Sequence, residues 1–219
     1  YDKMEVQVPL EDGTQATINV HLAYFINTYK DSQRNALKAL RDKEARGEEL
    51  SDDEKKSLAN LIKREKRYNL HMQVKDAVKK PIKEVYGKDE MKSIIGKYKG
   101  GKGAPEYYQK LIQTAINKAA ETPDEKKKGL PEPATTAEGW QTNVQEWIDE
   151  HHVGVDCSGM VDHIMETVAA SQGLEYNKWT EKNPVATLAD LQAGDVFSKP
   201  KEGDEVGHVR VVRNVEVDT

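Results

Sequence analysis

The sequence predicts an α+β protein in which a short β-hairpin and a charged helical region precede a C-terminal part that mixes helix and strand. Three observations carry this. Two alternating runs flank a Gly-ending polar turn near the start, helical apolar spacing recurs over residues 28–130, and the net charge changes sign where prolines cluster.

The hairpin is expected from Val6-Gln7-Val8-Pro9-Leu10 and residues 14–20, on either side of Glu11-Asp12-Gly13. From Ile18 the pattern is double. Ile18, Val20, Leu22, Tyr24 and Ile26 alternate like a strand, whereas Leu22, Phe25, Ile26 and Tyr29 suit a helix continuing through Ala36, Leu37 and Leu40. A change to helix near His21 is the expectation. Gly47 should end that helix, and Ser51-Asp52-Asp53-Glu54 should start the next, the Ser hydroxyl accepting from the third amide while Glu54 reaches back. A long charged helix follows to about Lys80, with Leu58, Leu61, Ile62, Tyr68 and Met72 as a narrow stripe. Helices over 89–98 and 105–121, separated by Gly100-Gly101-Lys102-Gly103, complete a helical bundle or arm.

Residues 122–135 contain three prolines and little that could be buried, so a linker is placed there. Charge divides at the same point. Residues 28–130 hold 26 Lys and Arg against 17 Asp and Glu, a net of +9, and residues 131–219 hold 6 against 17, a net of −11. The expected parts are therefore a hairpin segment (1–27), a charged helical region (28–130) and a C-terminal domain (131–219). Thr135 and Glu138 are expected to form a second capping box, for a helix with Trp140, Val144, Trp147 and Ile148 on one face. The two tryptophans read as core, with the wall of a substrate groove as the second reading.

Several function classes fall away. No stretch approaches the ~20 consecutive apolar residues of a transmembrane helix. Cys157 is the single cysteine, so it forms no intrachain disulfide, and with His151-His152 alone it does not make a zinc set. No metal or cofactor is expected. The basic residues of the middle region are interleaved with Glu and Asp, which weighs against nucleic acid and favours a solvated scaffold. Contact between residues 28–130 and an anionic surface such as wall polymer is the second reading, and docking on the acidic C-terminal part a third. The chain begins at Tyr1 rather than Met, as a trimmed or processed product would, which leaves room for a removed export signal.

The stretch with chemical content is Val155-Asp156-Cys157-Ser158-Gly159-Met160-Val161-Asp162-His163-Ile164-Met165. Val161, Ile164, Met165 and Val168 make a helical face, which puts Cys157 in the first turn and Asp156 at the cap. The unpaired amides and positive dipole end there favour thiolate, the attacking form. His163 lies about 240° around that helix from Cys157 and reads as a surface or packing residue. A base is available further on. Leu191-Gln192-Ala193-Gly194-Asp195-Val196-Phe197 turns into a short strand, and an acidic connection then leads to the alternating His208-Val209-Arg210-Val211-Val212. An imidazole at the start of a strand packed across a Cys-bearing helix end can remove the thiol proton.

Taken in order, Asp156-Cys157-Ser158-Gly159-Met160-Val161, then 191–197, then His208-Val209 resemble the NlpC-type cysteine peptidases, papain-like enzymes of bacterial cell-wall turnover. The resemblance covers about the last third of the chain. It implies a papain-like core, with the nucleophile at a helix N-terminus packed on an antiparallel sheet. It further implies hydrolysis of peptide bonds in the peptidoglycan stem through a thioester, outside the cell or in its envelope. Carried over by residue, Cys157 is the nucleophile, with its amide in the oxyanion hole, and His208 is the general base. Asp156 and Ser158 flank the substrate subsite.

Three positions depart from the family. Arg210 stands where a small residue is usual, and could bind a substrate carboxylate or obstruct the groove. The third polar residue, which orients the imidazole, falls to Asp218 if the chain turns around Arg213-Asn214-Val215. The alternative is that it lies beyond 219. Upstream, Glu150-His151-His152-Val153-Gly154 replaces an aromatic, Gly-rich approach. A competing reading is a catalytically inactive papain-like module serving as a cell-wall binding or assembly protein.

Overall fold

The computed structural model describes residues 3–24, 29, 31–121, 128–171, 196–200 and 206–211, with the last two stretches and Tyr24, Cys157, Ser158, Asp162, Val168 and Ala169 as backbone only. The elements run β1 (Met4–Pro9), β2 (Gln15–Val20), β3 (Ala23–Tyr24), α1 (Asp31–Ala45), α2 (Asp52–Tyr86), α3 (Lys88–Gly100), α4 (Pro105–Ala120), α5 (Ala137–Glu150), β4 (Gly154–Val155), α6 (Cys157–Ser171), β5 (Val196–Pro200) and β6 (Val206–Val211). The chain is α-rich with a small antiparallel hairpin, and it divides into two compact units, Tyr1–Val155 and Asp156–Thr219.

In the first unit β1 and β2 pair as the expected hairpin, Val6 opposite Ile18 and Val8 opposite Ala16. The Asp12 carboxylate accepts from the Thr14 amide at 2.9 Å and its hydroxyl at 2.6 Å, while Gly13 takes the positive φ of +81° that closes the turn. The two-residue period sends Met4, Val6, Val8, Ile18 and Val20 inward. The edge of β1 is closed from α4. Gln113 accepts from the Gln7 amide and donates to its carbonyl, both at 2.8 Å, and Gln109 donates to the Glu5 carbonyl at 2.7 Å. Two glutamines one turn apart thus replace a third strand. On α5, Gln145 serves His21 in the same two ways, at 2.9 and 3.1 Å.

Among the described residues no helix starts near His21. Ala23–Tyr24 instead pair in parallel with Gly154–Val155, so the alternating pattern holds as far as Tyr24, and α1 spans Asp31–Ala45. The capping box forms as expected, with Glu54 N–H donating to Ser51 Oγ at 3.3 Å and Ser51 N–H to Glu54 Oε2 at 3.0 Å. Helix α2 passes Lys80 and carries Pro81 within it, because Val74, Val78 and Ile82 are all fully buried and hold the helix through the missing donor.

The middle region is both bundle and arm. The second half of α2, with α3, α4, α5 and the hairpin, shares one core that includes Ile94, Tyr98, Leu111, Ile112, Ile116, Trp140 and Ile148. The first half of α2 packs with α1 around a separate cluster of Tyr29, Leu37, Leu50, Leu58 and Leu61. There the Arg34 guanidinium lies over the rings of Tyr29 and Tyr68, and Arg41 forks onto Glu65 at 2.7 and 3.3 Å.

The division into units falls after Val155 rather than at the expected 131. Residues 128–155 belong to the first unit: Trp147 Nε1 donates to the Gly129 carbonyl at 3.1 Å, Asn143 to the Glu132 carbonyl at 3.0 Å, and Trp140 Nε1 to the Pro9 carbonyl at 2.8 Å. The reason is that Trp140, Val144, Trp147 and Ile148 form an apolar face that must be covered, and the hairpin and helices in front of it supply the cover. Both tryptophans are therefore core.

In the second unit, β5 and β6 pair antiparallel, Val196 opposite Val211 and Lys199 opposite His208, with an irregularity at Lys199/Pro200. Helix α6 packs along β6. Among the described residues no helix is long and apolar enough to cross a membrane.

Candidate active site

The approach to Cys157 is built from the end of α5. Val153 N–H donates to the Ile148 carbonyl at 2.9 Å and His152 N–H to the Asp149 carbonyl at 3.4 Å, with His152 in the left-handed region at φ +52°. This double closure is a Schellman motif in which histidine occupies the place usually given to glycine. It turns the chain into β4. The Ala23 amide donates to the Val153 carbonyl at 3.0 Å, and Val153 and Val155 are buried. The stretch from Glu150 to Gly154 is thus a helix stop and the entry to a strand.

One residue after β4, Asp156 caps α6. Its Oδ1 accepts from the Gly159 amide at 2.6 Å, and its carbonyl accepts the first intrahelical bond, from Met160 at 3.0 Å. Cys157 and Ser158 are therefore the first two helical positions, where amides stand outside the helical ladder and the macrodipole is positive. The cap role expected of Asp156 is realised, and it gives this carboxylate a structural task. Asp156→Ala is expected to lower the unfolding free energy of α6 and its unit by about 1 kcal/mol, while Asp156→Asn, which can still cap, stays within roughly a few tenths. Urea titration followed by circular dichroism checks both.

Of the other expected site residues, His208 lies on β6 opposite Lys199, and Arg210 lies opposite Phe197. The second unit thus brings the helix that begins with Cys157 and the strand that holds His208 into contact. The side chains of Cys157, Ser158, His208 and Arg210, and all of Asp218, lie outside the described residues. His163 is half-buried, and its carbonyl accepts from Thr167 Oγ1 at 2.8 Å. Among the described residues no group of three or more His, Cys, Asp or Glu is placed to hold a metal ion.

One buried histidine was not singled out in the sequence. His71, on α2, is 2% exposed and stacks on Tyr98, with ring centroids 3.9 Å apart, while Tyr98 Oη donates to the His71 carbonyl at 2.9 Å. Burial pushes its pKa down to about 4, and backbone groups of His151 and His152 oppose this. Burial also lowers His151, whose Nδ1 is 3.1 Å from the Trp147 carbonyl, and His152, which feels Arg67 as well. The signal for His71 was its place in the 71-74-78-82 spacing that forms the buried stripe of α2.

In comparisons with protein-family models, curated proteins and solved structures, nothing matches this chain.

Proposed function

We propose that the chain is a cysteine peptidase of the NlpC type, with a papain-like C-terminal core, that hydrolyses amide bonds in peptides such as the stem peptides of bacterial peptidoglycan. The observation that carries this reading is the position of Cys157 as the first residue of a helix capped by Asp156, in one compact unit with the strand that bears His208. The ordered motif around these residues supports the assignment, and a wall substrate would put the protein outside the cell or in its envelope.

In this mechanism His208 takes the Cys157 thiol proton and the thiolate attacks the scissile carbonyl carbon. The Cys157 amide donates to the oxyanion of the tetrahedral intermediate. As the C–N bond breaks, His208 returns its proton to the leaving amine and a thioester remains. Water, deprotonated by His208, then attacks the thioester, releasing a carboxylic acid and the thiol. Asp218 orients the imidazole, Ser158 lines the subsite, and Arg210 receives a substrate carboxylate. Asp156 acts through the helix it caps. No cofactor takes part.

Cys157→Ala and His208→Ala should each reduce hydrolysis of purified muropeptides by roughly 10⁴-fold or more, with circular dichroism unchanged. Mass spectrometry of the products reads the rate, and near-parental turnover in either folded variant would remove that residue from the mechanism.

A further inference from the structure

We propose that the outer face of the α1–α2 arm is a docking site for a flexible, base-free linear polymer that carries a phosphate in each repeat. Lys56, Lys63, Lys66 and Arg67 are all exposed on α2. At 100° per residue, Lys56, Lys63 and Arg67 fall within about 40° of one another, and Lys66 about 60° to one side of Lys63. Lys56, Lys63 and Arg67 lie opposite Leu58, Leu61 and Glu65, which face α1, and Lys66 lies to one side. The stripe spans about 16 Å of helix at 1.5 Å per residue.

Three of the nearby acids are already engaged, while Asp53, one turn before Lys56, is exposed. Glu54 pairs with Lys43 at 2.7 Å, Glu65 with Arg41 at 2.7 Å, and Asp52 with Lys55 at 3.7 Å. None of the four stripe cations forms an ion pair with another described residue. Lys63 also faces Lys66 and Arg67 at the i,i+3 and i,i+4 spacings, where like charges repel and weaken a helix. An arm under this repulsion gains when anions neutralise it. In a chain of net charge −5 the attraction has to be local.

The form of the stripe selects the polyanion. A ridge one helix wide follows a linear chain better than a plane of lipid headgroups, and Ile62, at 43% exposure, is a single apolar side chain rather than a wedge. Stacking of bases needs exposed aromatic rings. Tyr68, next to Arg67 in sequence, faces the other way, tilted on Tyr29 and beneath Arg34. A phosphate polymer without bases fits what is present. This site does not depend on the peptidase reading.

The test uses the full chain with long-chain inorganic polyphosphate as probe, by calorimetry at several salt concentrations. At about 0.7 counterions released per contact, four contacts give a log–log salt slope near −2.8 and roughly a fifty-fold loss of affinity from 50 to 200 mM salt. Combined Lys56→Gln, Lys63→Gln, Lys66→Gln and Arg67→Gln should abolish that slope. The same charge removed elsewhere, by Lys79→Gln, Lys83→Gln, Lys88→Gln and Lys92→Gln, should leave most of it. The proposal is overturned by absence of binding at low salt or by equal losses in the two variants. Tighter binding to single-stranded DNA, duplex DNA or anionic vesicles at matched charge would also overturn it.

Discussion

Gly154→Ala is expected to destabilise the first unit by about 3 kcal/mol or more, at or above the usual ceiling for overpacking. A Cβ placed at Gly154 would lie 1.6 Å from the Ala23 carbonyl oxygen, 2.5 Å from its carbon and 3.0 Å from its nitrogen. These are backbone atoms, so no rotamer change relieves the clash. The β3–β4 pair would have to separate, giving up the bond from the Ala23 amide to the Val153 carbonyl (3.0 Å) and exposing Val153 and Val155. Gly96, inside α3 with nothing within 4 Å of its Cβ position, is the matched control. Alanine there should stabilise by up to about 1 kcal/mol through helix propensity. Chemical denaturation of both variants checks the contrast, and a Gly154→Ala change within about 0.5 kcal/mol of the parent chain would refute this packing.

Acid should weaken the fold well before carboxylates protonate, and His71 is the principal reason. Its folded pKa is near 4 because burial disfavours the cation, against about 6.5 when unfolded. Between these values the unfolded chain binds the additional proton, so stability falls as pH drops from about 6.5 to about 4. Below that, His71 is protonated in both states and its loss is complete. The gap corresponds to about 3 kcal/mol. His151 and His152 are depressed in the same direction and add to the slope. His71→Phe can keep the stack on Tyr98 without titrating. Its melting temperature should change much less than that of the parent chain between pH 6.5 and 4.5, and parallel profiles for the two proteins would remove His71 from this role.

Local signals were legible in the sequence. The Asp12-Gly13 turn, the Ser51–Glu54 box, the apolar face of α5 and the Asp156 cap each depend on residues within a few positions of one another. Non-local partners were not. The strand at Ala23–Tyr24 is decided by Gly154–Val155, far along the chain, so nothing local chose between the alternating and the helical patterns that begin at Ile18. The composition change at 131 does not mark the division into units, because which unit that region joins is set by where Trp140 and Trp147 are buried. Of the candidate site, the helix start at Cys157 and the strand through His208 were readable from spacing, and Asp218 lies outside the described residues.

The most direct measurement is the rate of iodoacetamide alkylation of Cys157 against pH in the native chain, where the single cysteine makes the signal unambiguous. A nucleophile at the start of α6 paired with His208 should titrate below the ~8.5 of a free thiol and shift upward in His208→Ala. A midpoint at or above ~8.5 that His208→Ala leaves unchanged would contradict the assignment.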